Sequence, residues 1–108
     1  MKRNLALLLI AFSLTSASFA KDFGPTKDIT SVRKVAQAKF PNVANVSVSH
    51  DWALCLASDE DSDLTVLLRR KSGQWSVVFS DGGALTASDL QSKGVPKADC
   101  AALLKSYQ

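Results

Sequence analysis

The feature that most constrains the fold is a stretch of twenty residues, 64–83, with the sequence LTVLLRRKSGQWSVVFSDGG. Two runs rich in Leu, Val, Phe and Trp flank the dipeptide Ser72-Gly73, which is typical of a tight two-residue turn. The pattern predicts two antiparallel strands, Leu64–Lys71 and Gln74–Ser80, that form a hairpin. The rest of the chain is therefore expected to extend or cover this hairpin.

Two further strands are predicted before the hairpin. Val43–Ser49 alternates apolar and polar residues after Asn45, and Trp52–Ala57 continues the alternation beyond a turn at His50-Asp51. In the last three strands we expect the bulky residues at alternate positions to share one face, which is the pattern of an antiparallel sheet with one face on a core. That face would hold Trp52, Leu54 and Leu56, then Leu64, Val66 and Leu68, then Trp75, Val77 and Phe79.

Helical spacing of apolar residues appears before and after the strands. A first helix is predicted from a cap at Asp28 or Thr30 to about Lys39, because Pro41 disfavours helical dihedrals at the residue before it. Its apolar stripe consists of Ile29, Val32, Ala36 and Phe40.

Two short helices are predicted at the C-terminal end. The sequence Thr86-Ala-Ser-Asp89 resembles a capping box and opens a helix to about Lys93. Gly94 is a natural helix stop, and a last helix is expected from Pro96 to Tyr107. The predicted fold class is α+β, with an N-terminal helix, a four-stranded antiparallel meander that curls around it, and two C-terminal helices, in one domain over residues 21–108.

Residues 1–20 have the layout of a secretory signal peptide. Lys2 and Arg3 are followed by an apolar run, Leu5–Leu14, that is too short to span a bilayer core of about 30 Å. Small residues at Ser18 and Ala20 predict cleavage after Ala20 and a periplasmic or secreted location, with an uncleaved membrane anchor as the alternative. Without Lys2 and Arg3, the 13 basic residues fall to 11 against 10 acidic residues. This balance predicts no nucleic acid and, after cleavage, no membrane as a partner.

Cys55 and Cys100 are the only cysteines. In an oxidising compartment such a pair predicts one disulfide, which would contribute roughly 4 kcal/mol by closing a loop of about 45 residues. Two separately buried thiols are the alternative. Cys55 falls on the smaller-residue face of its strand, whereas Cys100 lies in the last helix. Either the C-terminal segment covers part of that second face, or a bulge turns Cys55 towards the core.

Few residues are arranged for catalysis. Ser49-His50-Asp51 contains the residue types of a hydrolase triad, but adjacent residues point in different directions and do not form the relay by themselves. His50 is the only histidine. We therefore predict no catalytic residues and no enzyme, although a cleft holding His50 beside a second ionisable group would favour one.

Two charged runs lie at opposite ends of the predicted hairpin. Asp59, Asp61 and Asp63 are spaced like the first ligands of a calcium loop, but the rest of that loop is missing, so a hydrated turn is expected and a weak cation site is the alternative. The run Arg69-Arg70-Lys71 would either bind an anionic partner or balance the acidic turn. No metal or cofactor is predicted, because one His, two Cys and no Met after the leader supply a soft-metal site poorly.

Several short motifs in the C-terminal half occur in one order over about Ser49–Leu104. They resemble those of small exported bacterial proteins, some labelled copper uptake system-associated. The motifs are Trp52-Ala-Leu, Leu67-Leu-Arg-Arg, Gly73-x-Trp75-x-Val77, Gly82-Gly-x-Leu85, Leu90 and Gly94-Val-Pro96. They are signals of strand, turn and cap, so the resemblance implies a fold more than a function.

These observations predict a non-catalytic periplasmic or secreted binding or interaction protein, with another exported protein as the expected partner. The resemblance implies a copper-handling accessory protein as an alternative function. Inhibition of an exported hydrolase is a further alternative.

Overall fold

The structure is a computed structural model that describes residues 21–58, 61–83 and 85–107, with side chains described to Lys105. The predicted signal peptide, residues 1–20, lies outside the described residues. No helix in these described ranges is long and apolar enough to cross a membrane. The elements are α1 (Thr26–Gln37), β1 (Asn42–Ser49), β2 (Trp52–Ser58), β3 (Asp63–Lys71), β4 (Gln74–Asp81), α2 (Ala87–Ser92) and α3 (Lys97–Leu103), followed by a 3-10 turn, Leu104–Tyr107.

This order confirms the α+β fold class. The four strands form one antiparallel sheet in the order β1-β2-β3-β4. The predicted hairpin turn is also confirmed. Ser72 and Gly73 have φ of 53° and 77°, the left-handed conformation that a tight two-residue hairpin turn requires at both central positions.

The core lies on both faces of the sheet, so the prediction of a single apolar face is wrong. Trp52 belongs to one cluster, whereas Val66 and Val77 belong to the cluster on the opposite face. The cause is the register, in which Trp52 pairs with Arg69 and Ala53 pairs with Leu68. Alternation within a strand does not tell which alternate set of the next strand shares its face, and a register shift of one residue exchanges the two sets.

The face beneath α1 is lined by a cluster that includes Val32, Ala36, Val46, Ala53, Cys55, Val66, Leu68 and Trp75. The cluster on the other face includes Trp52, Leu54, Leu67, Leu90, Val95, Cys100 and Leu103. An irregularity in β4 adds to this division. The pairing with β3 shifts between Leu67 and Leu68, so Val77 packs beneath α1 while Phe79 packs on the opposite face.

The helix α1 begins before the predicted caps. Pro25 is its N-cap residue and makes no side-chain capping bond, and the Asp28 carboxylate binds Arg70 instead of a helix amide. The buried residues Ile29, Val32 and Ala36 face the sheet. The helix packs against both β1 and β4, so the sheet curls around it as predicted.

The C-terminal helices cover the opposite face of the sheet. The Thr86 hydroxyl accepts from the Asp89 amide and the Asp89 carboxylate accepts from the Thr86 amide, which confirms the capping box. Gly94, with φ of 103°, ends this helix against the ring of Trp52. Pro96 is the N-cap of α3 rather than its first helical residue, and the predicted last helix becomes a 3-10 turn at Leu104.

The outer edge of β1 is covered at Val46 and Val48 by the segment before α1. The Phe23 amide donates to the Val46 carbonyl at 2.9 Å, and the Val48 amide donates to the Phe23 carbonyl at 2.8 Å. Gly24 has φ of 129°, and a Cβ there would lie 3.0 Å from Val48, so only glycine lets the segment approach this closely.

Candidate functional site

The predicted disulfide between Cys55 and Cys100 is wrong. Both thiols are free and buried, with Cys55 beneath α1 and Cys100 in the cluster on the opposite face. The sheet itself therefore separates them. Cys100 Sγ contacts the Pro96 carbonyl at 3.5 Å, while burial raises the pKa of Cys55 to about 12. The structure matches the alternative of two separately buried thiols, and the C-terminal segment does cover a second face.

Ser49 and His50 meet an aspartate that the sequence pattern did not identify. The Ser49 hydroxyl donates to Asp99 Oδ1 at 2.7 Å, and His50 Nδ1 lies 2.6 Å from the same oxygen. Asp51 instead accepts from Arg70 Nε at 3.0 Å. A hydrolase relay needs the serine hydroxyl to donate to the imidazole, whereas this serine donates to the carboxylate. The geometry therefore does not form the relay.

The Asp99 carboxylate is almost fully buried, whereas the His50 side chain is 84% exposed. The hydrogen bond from His50, followed by that from Ser49, lowers the pKa of Asp99. The same bond and the charge of Asp99 raise the pKa of His50. The contact joins the β1–β2 turn to the first turn of α3, which is a structural role.

Arg70, the middle residue of the basic run, is bound by groups at its own end of the hairpin. Arg70 Nη1 donates to Asp28 Oδ1 at 2.9 Å, its Nη2 donates to the His50 carbonyl at 3.0 Å, and its guanidinium stacks over Trp75 at 4.9 Å. Together with Asp51, these groups balance the charge of Arg70 at its own end of the hairpin, away from the acidic turn. Arg69 lies over the ring of Trp52 on the other face, at 5.1 Å.

The acidic turn is only partly described, because Asp59 lies outside the described residues. In the part of the chain that the structure describes, no group of three or more His, Cys, Asp or Glu side chains could hold a metal ion. The donor set therefore does not fit a copper site there.

A groove lies between α1 and the β3–β4 hairpin. Its volume is about 660 Å³, and we call it the α1–hairpin groove. It is lined by Lys27, Asp28, Ser31, Lys34 and Val35 from the helix and by Arg70, Gly73, Gln74 and Trp75 from the hairpin. A second groove of about 300 Å³ lies at the far end of β1 and β2, between Asn42 and Asp63. Neither groove is lined by His50.

The α1–hairpin groove has more hydrogen-bond donors than acceptors to offer. Its one carboxylate, Asp28, already accepts from Arg70. The ammonium groups of Lys27 and Lys34 form no salt bridge with a described residue. The indole N–H of Trp75 likewise has no hydrogen-bond acceptor among the residues that the structure describes. The Ser31 hydroxyl donates to the Lys27 carbonyl. The groups left for a ligand are therefore mainly cations and N–H donors.

Sequence reasoning missed this groove. Lys27, Ser31 and Lys34 recur at helical spacing, which was the available signal for one polar face of α1. The second wall was not predictable, because it depends on where the hairpin packs against that face.

Comparisons of the chain with protein-family models, with curated proteins and with solved structures give no match.

Proposed function

We propose that this chain is a non-catalytic binding protein and that the α1–hairpin groove holds an acidic segment of another polypeptide. The observation that carries the proposal is the surplus of donors in the groove, where Lys27, Lys34 and the Trp75 indole lack an acceptor among the described residues. The predicted leader makes an exported protein the expected partner.

The two lysines favour a ligand with several carboxylates. Lys27 and Lys34 are seven residues apart on α1, which places their Cα atoms about 10 Å apart along the helix. A polypeptide segment with several acidic residues can place one carboxylate beside each ammonium group. A single carboxylate would have to reach both lysines at once. Exposed ion pairs contribute about 0.2–1 kcal/mol each. We therefore expect weak binding that salt opposes.

The surroundings of the ionisable groups support binding rather than catalysis. His50 does lie beside a second ionisable group, Asp99, but its ring is exposed and outside both described grooves. Within the α1–hairpin groove, Asp28 is held by Arg70 and is not placed as a general base.

The test is a titration of a fluorescently labelled hexaglutamate peptide followed by anisotropy. We expect saturable binding that the K27E/K34E variant weakens at least tenfold. The matched control is K39E/K97E, which makes the same change in charge at two exposed lysines outside the groove. Absence of saturable binding at millimolar protein, or equal weakening in both double variants, would contradict the proposal.

The copper-handling alternative draws support from one feature. His50 Nδ1 faces the Asp99 carboxylate and leaves Nε2 as the free ring nitrogen, and imidazoles that bind metals are commonly supported in this way. Against this, both cysteines are buried on opposite faces. Calorimetry of copper binding to the native chain and to H50N tests it, and binding no tighter than micromolar would dispose of it.

A further inference from the structure

The outer edge of β4 carries unpaired backbone groups. The Arg70 amide donates to the Asp51 carbonyl at 2.7 Å and thus points away from β4. Trp75 pairs with Arg70 across the hairpin, so this is a pair without backbone hydrogen bonds between its members. The N–H and C=O of Trp75 therefore point to the open edge, as do those of Val77 two residues further on. Among the described residues no element pairs with this edge.

The two edges of the sheet differ in their protection. Phe23 covers the edge of β1 at Val46 and Val48, whereas β4 contains none of the Lys, Arg or Pro residues that commonly block an edge strand, and its irregularity lies between Val77 and Phe79, beyond Trp75. The open edge also adjoins the α1–hairpin groove, because Gln74 and Trp75 belong to both. A strand added at β4 would thus lie beside the lysines of α1.

We infer that the acidic segment binds as a fifth strand along β4, an inference that rests on the proposed function. Residues directly opposite one another on adjacent strands share a face. Trp75 and Val77 face α1, so the ligand residues opposite them face Lys27 and Lys34. The intervening ligand residue lies on the other face, opposite Ser76, and the next such residue reaches Val78, which is 48% exposed. The ligand class is therefore an extended segment in which acidic and apolar residues alternate.

The test uses the parent peptide Thr-Glu-Val-Glu-Val-Glu-Thr and two doubly N-methylated forms of it, which are isomers of each other. One isomer is N-methylated at two glutamates, and the other is N-methylated at the two valines. In a strand only alternate amides face the neighbouring strand, so one isomer loses its hydrogen bonds to β4 and the other carries its methyl groups on the free side. We expect one isomer to bind at least tenfold more weakly than the parent peptide and the other to bind within twofold of it.

The identity of the weaker isomer gives the strand direction. Weakening by glutamate methylation indicates an antiparallel addition, and weakening by valine methylation indicates a parallel one. If both isomers bind like the parent, strand addition is wrong while binding in the groove stands. If neither hexaglutamate nor the parent peptide binds, the proposed function is wrong as well. Sedimentation that shows a dimer unaffected by the parent peptide would assign the edge to a second copy of the chain and overturn the inference.

Discussion

Leu67 and Leu68 offer a direct test of the two-sided core. They are neighbours on β3, both side chains are completely buried, and they pack on opposite faces of the sheet. Leu68→Ala would leave a cavity beneath α1, and Leu67→Ala would leave one beneath the C-terminal helices. The two variants make the same chemical change one residue apart, so they differ only in the face that they probe.

We expect each variant to lower the free energy of unfolding by about 3 kcal/mol, within the range of about 2–5 kcal/mol found for fully buried leucines. In a domain of this size each 1 kcal/mol lowers Tm by about 4–8 °C, so each variant should melt about 12–24 °C lower. The effects should be nearly additive, because the two side chains belong to separate clusters.

Urea unfolding followed by tryptophan fluorescence and by circular dichroism measures these costs. Val78→Ala is the control, since this side chain is exposed and should cost less than about 1 kcal/mol. If either leucine variant costs less than about 1 kcal/mol at an unchanged m-value, that face is not part of the core and the reasoning about register fails.

Two further predictions concern titratable groups. Thiol titration without reductant should find Cys55 and Cys100 slow to react in the folded chain, because both are buried. After unfolding in urea the titration should count two free thiols. An intact mass lower by two hydrogens would instead reveal a disulfide. The raised pKa of His50 adds stability that is fully present below pH 6.5, the pKa of an ordinary histidine, and is lost as pH rises through the raised value. The denaturant concentration at the unfolding midpoint of the native chain should therefore decrease as pH rises above 6.5, and this decrease should be smaller in H50N. An equal dependence of the midpoint on pH in both proteins would refute the contribution of the His50–Asp99 pair.

Local sequence signals predicted the local structure of this chain well. The turn at Ser72-Gly73 and the capping box at Thr86 depend on residues within a few positions of each other, and both are present. Which side chains share a face depends instead on the register between strands. Trp52 could not be assigned to its face without knowing that it pairs with Arg69.

The errors at the candidate site have the same origin. Cysteine count and compartment favoured a bond between Cys55 and Cys100, but neither shows that a sheet lies between them. Asp99 meets His50 only because α3 packs beside the β1–β2 turn, 49 residues away in the chain. The spacing of Lys27, Ser31 and Lys34 places them on one face of α1 from the sequence alone. The packing of the β3–β4 hairpin beside that face, which makes the groove, could not be predicted in this way.

The short segment around Phe23 also sets a limit on how sheets of this kind can join. Growth of a fibre by end-to-end stacking needs two different free edges on every molecule, so that each new copy offers another place to attach. In the described part of the chain Phe23 covers the edge of β1 at Val46 and Val48, whereas no strand covers the outer edge of β4. Any side chain at position 24 would push the segment away from Val48 and would leave the edge of β1 open there as well.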